Sequence, residues 1–213
     1  VHLAQSERAA LCDLLDSVGP DAPTLCGDWT SHDLAAHLWV RETDPLGAPG
    51  IVARPLAGLT EKRMNETKQR WSYAELVDKV RRGPSRFSLF ALPGVDEPAN
   101  ATEFFIHHED VRRAGPTPLG PRPLDTATED WLWRRLKLLG RASFRRSPVG
   151  VVLEREDGSA EPLRVASGSE TVTLVGQPSE LLLYAFGRGR VSEVRAIGEE
   201  EALARLAGAD FSH

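Results

Sequence analysis

Glu103-Phe104-Phe105-Ile106-His107-His108-Glu109-Asp110 is the stretch on which the reading of this chain turns. Glu103 and His107 are four residues apart, so on a helix their side chains stand one above the other on one face. A carboxylate and an imidazole so placed can share one divalent cation, and metal sites in helical bundles are built this way from facing helices. Two ligands are one short of what a metal site takes from its protein. The candidate third is His37, which lies between Leu34 and Leu38 on the inward stripe of an earlier helix, where a polar ring needs a partner. A His-Glu-His set with one position left to water has the make-up of a catalytic rather than a closed structural zinc site.

The residues alone leave blander readings open. His37 alone reads more often as a hydrogen-bonded core histidine than as a ligand, and Glu103 with His107 as a helix-stabilising pair worth about a few tenths of a kcal/mol. His108 faces about 100° away from His107 and is expected at the surface or behind the site. Asp110, three residues after His107, could orient that ring through its free nitrogen or be a solvated acid at the helix end. His2, His32 and His213 look incidental.

Outward from this stretch the first two thirds of the chain read as helix. The stretch itself belongs to a helix over about 100–113. Over 6–18, Ala9, Ala10, Leu11, Leu14, Leu15 and Val18 follow the 3.6-residue period, and Gly19-Pro20 stops the run. A second helix opens at Thr30, an N-cap with Asp33 three residues on in a capping-box arrangement, and continues through His37 and Arg41 to Asp44-Pro45. The segment 45–58 is rich in Gly and Pro and reads as a long connection. Helical signal returns over 61–70 and 72–82, with Ser72 as cap and Gly83-Pro84 as stop. A loop with Pro116, Pro118, Pro121 and Pro123 then leads to a helix over 125–143.

After Pro148 the pattern changes. The segments 149–155 and 163–166 are short β-type runs around the turn Glu156-Asp157-Gly158-Ser159, and 171–175 alternates between Gly168 and Gly176. A short apolar helix over 181–186, a strand over 191–197 and a closing helix over 199–206 complete the chain. The expected fold class is α+β: a helical bundle over 1–145 followed by a small α+β domain over 146–213.

The chain has 213 residues, 41% of them hydrophobic and 27% charged, with a formal net charge of -5. A chain of this size buries about 70% of the surface it exposes when unfolded, which excludes any need for disulfide staples. Its composition excludes collagen, coiled-coil fibre and wholesale disorder. Mild acidity argues against nonspecific nucleic-acid or membrane binding. The series Arg134, Arg135, Lys137, Arg141, Arg145 and Arg146 reads as a wet helix face, without the exposed aromatics of a phosphate-binding stripe. No apolar run is long enough for a membrane helix and the start has no secretory core, so a soluble cytoplasmic protein is expected. Cys12 and Cys26 are expected as reduced, partly buried thiols without a reactive context. Five Trp and the proline loop could fill the core or line the interface of a homodimer.

Thr24-Leu25-Cys26-Gly27-Asp28-Trp29-Thr30 leading into Asp33-Leu34-Ala35-Ala36-His37-Leu38, together with the stretch from Glu103 to Asp110, resembles the mycothiol-dependent maleylpyruvate isomerase family. That family belongs to the DinB-like metal-binding four-helix bundles, and the chain is similar to an actinobacterial branch of it. The resemblance covers about residues 1–145. It implies that His37, Glu103 and His107 are the three protein ligands of a divalent metal, zinc, with water completing the shell. More loosely, the tail from Pro178 to Arg188 is similar to the family's smaller C-terminal domain, which has a sterol-carrier-like α/β shape.

An open zinc position can lower the pKa of a water, polarise a carbonyl or take a thiol as thiolate. The resemblance favours the last: mycothiol would bind through sulfur, lose its proton and attack an electrophilic small molecule, as in an isomerase or S-transferase. The protein would then supply a nucleophile without a cysteine of its own. Arginines match anionic substrates through their planar fork. Arg41, one turn after His37, and Arg188, in the turn Gly187-Arg188-Gly189-Arg190, are the candidates, beside the reading of each as a solvated side chain. Two other classes stay open: a noncatalytic metal- or ligand-binding protein, and a metal-assisted hydrolase with Glu109 or Asp110 as base.

Overall fold

The computed structural model describes residues 3–44, 57–83, 96–117, 119–209 and 211. His2, His213, Pro84, Pro118 and residues 45–56 of the connection expected over 45–58 lie outside the described residues; Ala57 and Gly58, its last two, belong to a helix instead. The chain forms two compact units, His2–Leu119 and Gly120–His213.

The first unit is helical. Its described helices are α1 (Leu3–Val18), α2 (Ser31–Thr43), α3 (Ala57–Arg70), α4 (Tyr73–Arg82) and α5 (Asp96–Arg112). α1 packs against α5 and α4, while α2 packs against α3 and α4. Leu11, Cys12 and Leu15 of α1, Leu34, Ala35 and Leu38 of α2, Met64 of α3, Leu76, Val77 and Val80 of α4 and Phe104 of α5 share one core. Burial of the Leu, Val, Met and Phe side chains among them, each contributing about 1.5–3 kcal/mol, holds the helices together.

Local chemistry sets the helix starts. The Thr30 side chain accepts from the Asp33 N–H and the Asp33 carboxylate accepts from the Thr30 N–H, the reciprocal capping box expected from sequence. Lys68 of α3 holds the same Asp33 carboxylate at 2.5 Å, so the cap also ties two helices together. Ser72 and Glu75 cap α4 in the same way, and Gly83 ends it with φ of 75°, a backbone state that a side chain would strain. α1 begins three residues earlier than its apolar period predicts. Leu3 and Ala4, both buried, carry the inward face past the expected start, and Glu7 and Arg8 add inward-facing polar positions, each with a buried partner.

The second unit comprises α6 (Thr126–Ser143), β1 (Gly150–Arg155), β2 (Leu163–Ala166), β3 (Thr171–Gly176), α7 (Pro178–Leu183), β4 (Arg195–Ile197) and α8 (Glu200–Ala207). The four strands form one sheet in the order β2-β1-β3-β4, with β1 antiparallel to β2 and parallel to β3, and β4 antiparallel to β3. The architecture is α+β, as the sequence implies. Two details differ. The strand expected over 191–197 shortens to its last three residues, because the N–H groups of Val191 and Ser192 turn back onto the Arg188 carbonyl. The division between units falls before α6 rather than near residue 145. Glu129 of α6 accepts from the N–H and hydroxyl of Ser179 at 2.9 and 2.8 Å, and Gly140 lies against Val165 of β2, so α6 packs with the sheet unit. Among the described residues no helix is long and apolar enough to cross a membrane.

Candidate metal centre

α2 and α5 carry the chemistry. On α2, buried Leu34 and Leu38 fix the inward face and leave His37 4% exposed between them. On α5, Phe104 and Phe105 anchor the helix in the core and set Glu103 and His107 one turn apart. Glu103 Oε1 lies 3.1 Å from His37 Nε2 and 3.2 Å from His107 Nε2, and the donor atoms of all three residues fall within 4.8 Å of one another. The two imidazoles meet edge to face at 5.2 Å, and the Trp29 indole packs at 5.0 Å from the His37 ring.

The donor set fits a divalent cation. His107 Nδ1 lies 2.9 Å from Asp110 Oδ2, so a neutral ring donates its proton there and turns the lone pair of Nε2 toward the Glu103 carboxylate. Two acceptors at 3.2 Å repel, and positive charge must stand between them. Ligands on a tetrahedral zinc at about 2.0–2.1 Å are about 3.3 Å apart, close to the separations found here. Among the described residues His37 Nδ1 is buried without a partner, and none of them dictates the tautomer in which Nε2 is free to coordinate.

The electrostatics show the same demand. Burial works to raise Glu103, yet hydrogen bonds from His107 and His37 and the Arg41 charge hold its carboxyl well below the usual range. Burial works to lower His107, but Asp110, then Cys26 and Glu103, raise it well above the usual imidazole range. His37 is pushed down, first by burial. A protonated His107 thus supplies the positive charge that a cation would supply in its place.

Behind Glu103 runs a buried polar chain. Arg41 Nε lies 3.4 Å from Glu103 Oε1 and the same guanidinium donates to Asn100 Oδ1. Asn100 donates to Glu42 at 2.9 Å, and Glu42 pairs with Arg8 at 2.5 and 2.7 Å. Arg8 in turn donates to the Val80 carbonyl and lies over the Phe104 ring. Buried charges of this kind persist only when each is matched, and this chain matches them across four helices.

The structure decides several of the readings left open. Asp110 is enclosed and orients His107; it is not a solvated acid. His108 is not at the surface: it is buried and its Nδ1 lies 3.0 Å from Glu7 Oε2 on α1. Glu109 is buried in ion pairs with Arg112 at 2.8 Å and Arg113 at 2.5 Å. His32 packs edge-on against Tyr73. Arg188, in the second unit, donates to the Phe186 carbonyl at 2.6 Å. Sequence spacing missed Cys26. Its Sγ lies 3.0 Å from Asp110 Oδ2 and 3.7 Å from His107 Nδ1, 81 residues away in the chain. Only its position in the segment from Thr24 to Thr30 hinted at the site.

No family model matches the chain, and no curated protein does. Its structure is similar to the crystal structure of the mycothiol-dependent maleylpyruvate isomerase, with a TM-score of 0.54 over 91% of this chain and 90% of that chain. The two proteins share a fold. At 16% sequence identity the likeness speaks to architecture and not to activity.

Proposed function

We propose that His37, Glu103 and His107 hold a divalent cation, zinc by the character of its donors, and that the protein is a thiol-dependent isomerase or S-transferase. One observation carries this: two imidazole nitrogens converge on a single carboxylate oxygen at 3.1 and 3.2 Å. A divalent cation in such a site supplies a Lewis acid with a coordination position to spare, able to lower the pKa of a thiol. The chain's own groups do the rest. Asp110 fixes the His107 tautomer, Arg41 offsets the Glu103 charge, and Trp29 packs beside the His37 ring.

A low-molecular-weight thiol of the mycothiol type is the proposed cosubstrate, and an electrophilic small molecule the substrate. Such thiols are kept reduced in the cytoplasm, which is the proposed location. Arg41, in addition to its contacts with Glu103 and Asn100, is the proposed holder of an anionic group in the first unit, and Arg188 is a separate proposed anion-binding residue within the second. The hydrolase reading loses support from the geometry. Glu109 is bound up with Arg112 and Arg113, and Asp110 with His107, so neither stands ready as a base. Titration of the cobalt-substituted protein with mycothiol or a simpler thiol tests the proposal. The visible cobalt bands shift and intensify if sulfur enters the site; bands that stay unmoved at saturating thiol sink it.

A further inference from the structure

We propose that Cys26, Asp110 and His107 form a second cation site, for a thiophilic divalent ion of the zinc and cadmium class, on the other side of the His107 ring. Sγ to Oδ2 is 3.0 Å, Oδ2 to Nδ1 is 2.9 Å and Sγ to Nδ1 is 3.7 Å. A cation just above the plane of that triangle lies about 2 Å from all three atoms, and a small outward movement of sulfur brings each bond to its ordinary zinc length. The three donors belong to one cluster by distance. Thiolate, imidazole and carboxylate together favour a soft or borderline ion over magnesium or calcium.

Binding releases the Cys26 S–H proton, and the Nδ1 of His107 exchanges its proton for the metal. With the His37 site empty, the His107 proton moves to Nε2, where Glu103 Oε1 at 3.2 Å accepts it. With that site filled, the ring would release its remaining proton to solvent, as the Cys26 thiol does, and each ring nitrogen would serve one cation. The second site therefore does not rest on the first, because each uses a different nitrogen of one ring. Its ligands come from two segments already fastened together: the Leu25 N–H donates to the Asp110 carbonyl at 3.2 Å. Cys26 is half-buried, giving an ion a way in, while Asp110 is enclosed and held ready.

Cobalt(II) titration of the full chain tests this, because a thiolate ligand adds an intense near-ultraviolet charge-transfer band that a His-Glu-His site lacks. The wild type is expected to take up about two equivalents and to show that band. Cys26→Ser loses the band and about one equivalent but keeps the visible bands; His37→Ala keeps the charge-transfer band. Uptake that stops at one equivalent without the band overturns the second site and leaves the first standing. A band that survives Cys26→Ser and disappears in Cys12→Ser also overturns it. A measurement free of variants is alkylation of wild-type Cys26 by iodoacetamide, followed by peptide mass spectrometry with and without cadmium. Cadmium is expected to slow it by about tenfold or more; an unchanged rate rejects the site.

Discussion

A carboxylate oxygen set between two imidazole nitrogens is a charge problem before it is a function. At Glu103 it is solved by positive charge, whether a proton on His107 or a cation shared with His37. Cys12 shows the opposite condition, a titratable group whose burial outweighs the nearby charges of Arg81 and Arg8. Burial pushes its thiol up from 9.0 to about 12. Above pH 9 the unfolded chain releases this proton while the folded chain keeps it, so the unfolded state binds fewer protons and stability falls as pH rises. The slope from this group is up to about 1.4 kcal/mol per pH unit until its folded pKa is reached. Cys12→Ala is expected to cost about 1 kcal/mol at pH 7 yet to lose stability less steeply in urea unfolding above pH 9. Equal slopes for the two proteins would contradict the assignment. At this scale Glu103 and His107 were legible, because a separation of four residues forces a shared helical face. Cys26 was not, since nothing local to it encodes a partner 81 residues away.

Helix ends carry most of what the sequence says about elements. Thr30 with Asp33 and the Ser72 cap are read directly, because a cap depends on neighbours in the chain and its partners lie within three residues; the Glu75 half of the second box is added by the structure. The start of α1 and the short β4 escape such reading for one reason. Apolar pattern does not fix where either stops: α1 is carried back by the burial of Leu3 and Ala4, and β4 is cut short where the Val191 and Ser192 N–H groups turn onto the Arg188 carbonyl. The packing of α6 on β2 gives a prediction whose sign sequence reasoning would get wrong. Ala in place of Gly140 gains about 1 kcal/mol of helix propensity, but its Cβ would stand 2.6 Å from Val165 Cγ1 on a stiff, branched side chain. Overpacking costs about 1–3 kcal/mol, so Gly140→Ala is expected to lower the thermal midpoint. Val165→Ala is expected to relieve that loss in the double variant. A stabilised single variant would show that α6 and β2 are not so close.

At the scale of the whole molecule, the chain forms two compact units, and His37, Glu103, His107, Asp110 and Cys26 all belong to His2–Leu119. The α+β class follows from the change from helical to alternating pattern after Pro148. The boundary does not, because an amphipathic helix looks alike whichever core it covers. A fragment of residues 1–119 is expected to keep a helical circular-dichroism spectrum and to bind metal; a fragment that folds but binds none would contradict this division. The site exists only because α2 and α5 face each other, across 66 residues of chain from His37 to Glu103. The central claim is therefore tested by the zinc content of purified wild type against His37→Ala, with folding checked by circular dichroism. The expected result is loss of about one equivalent of metal from a folded variant. Unchanged metal content in that variant would contradict the three-ligand site.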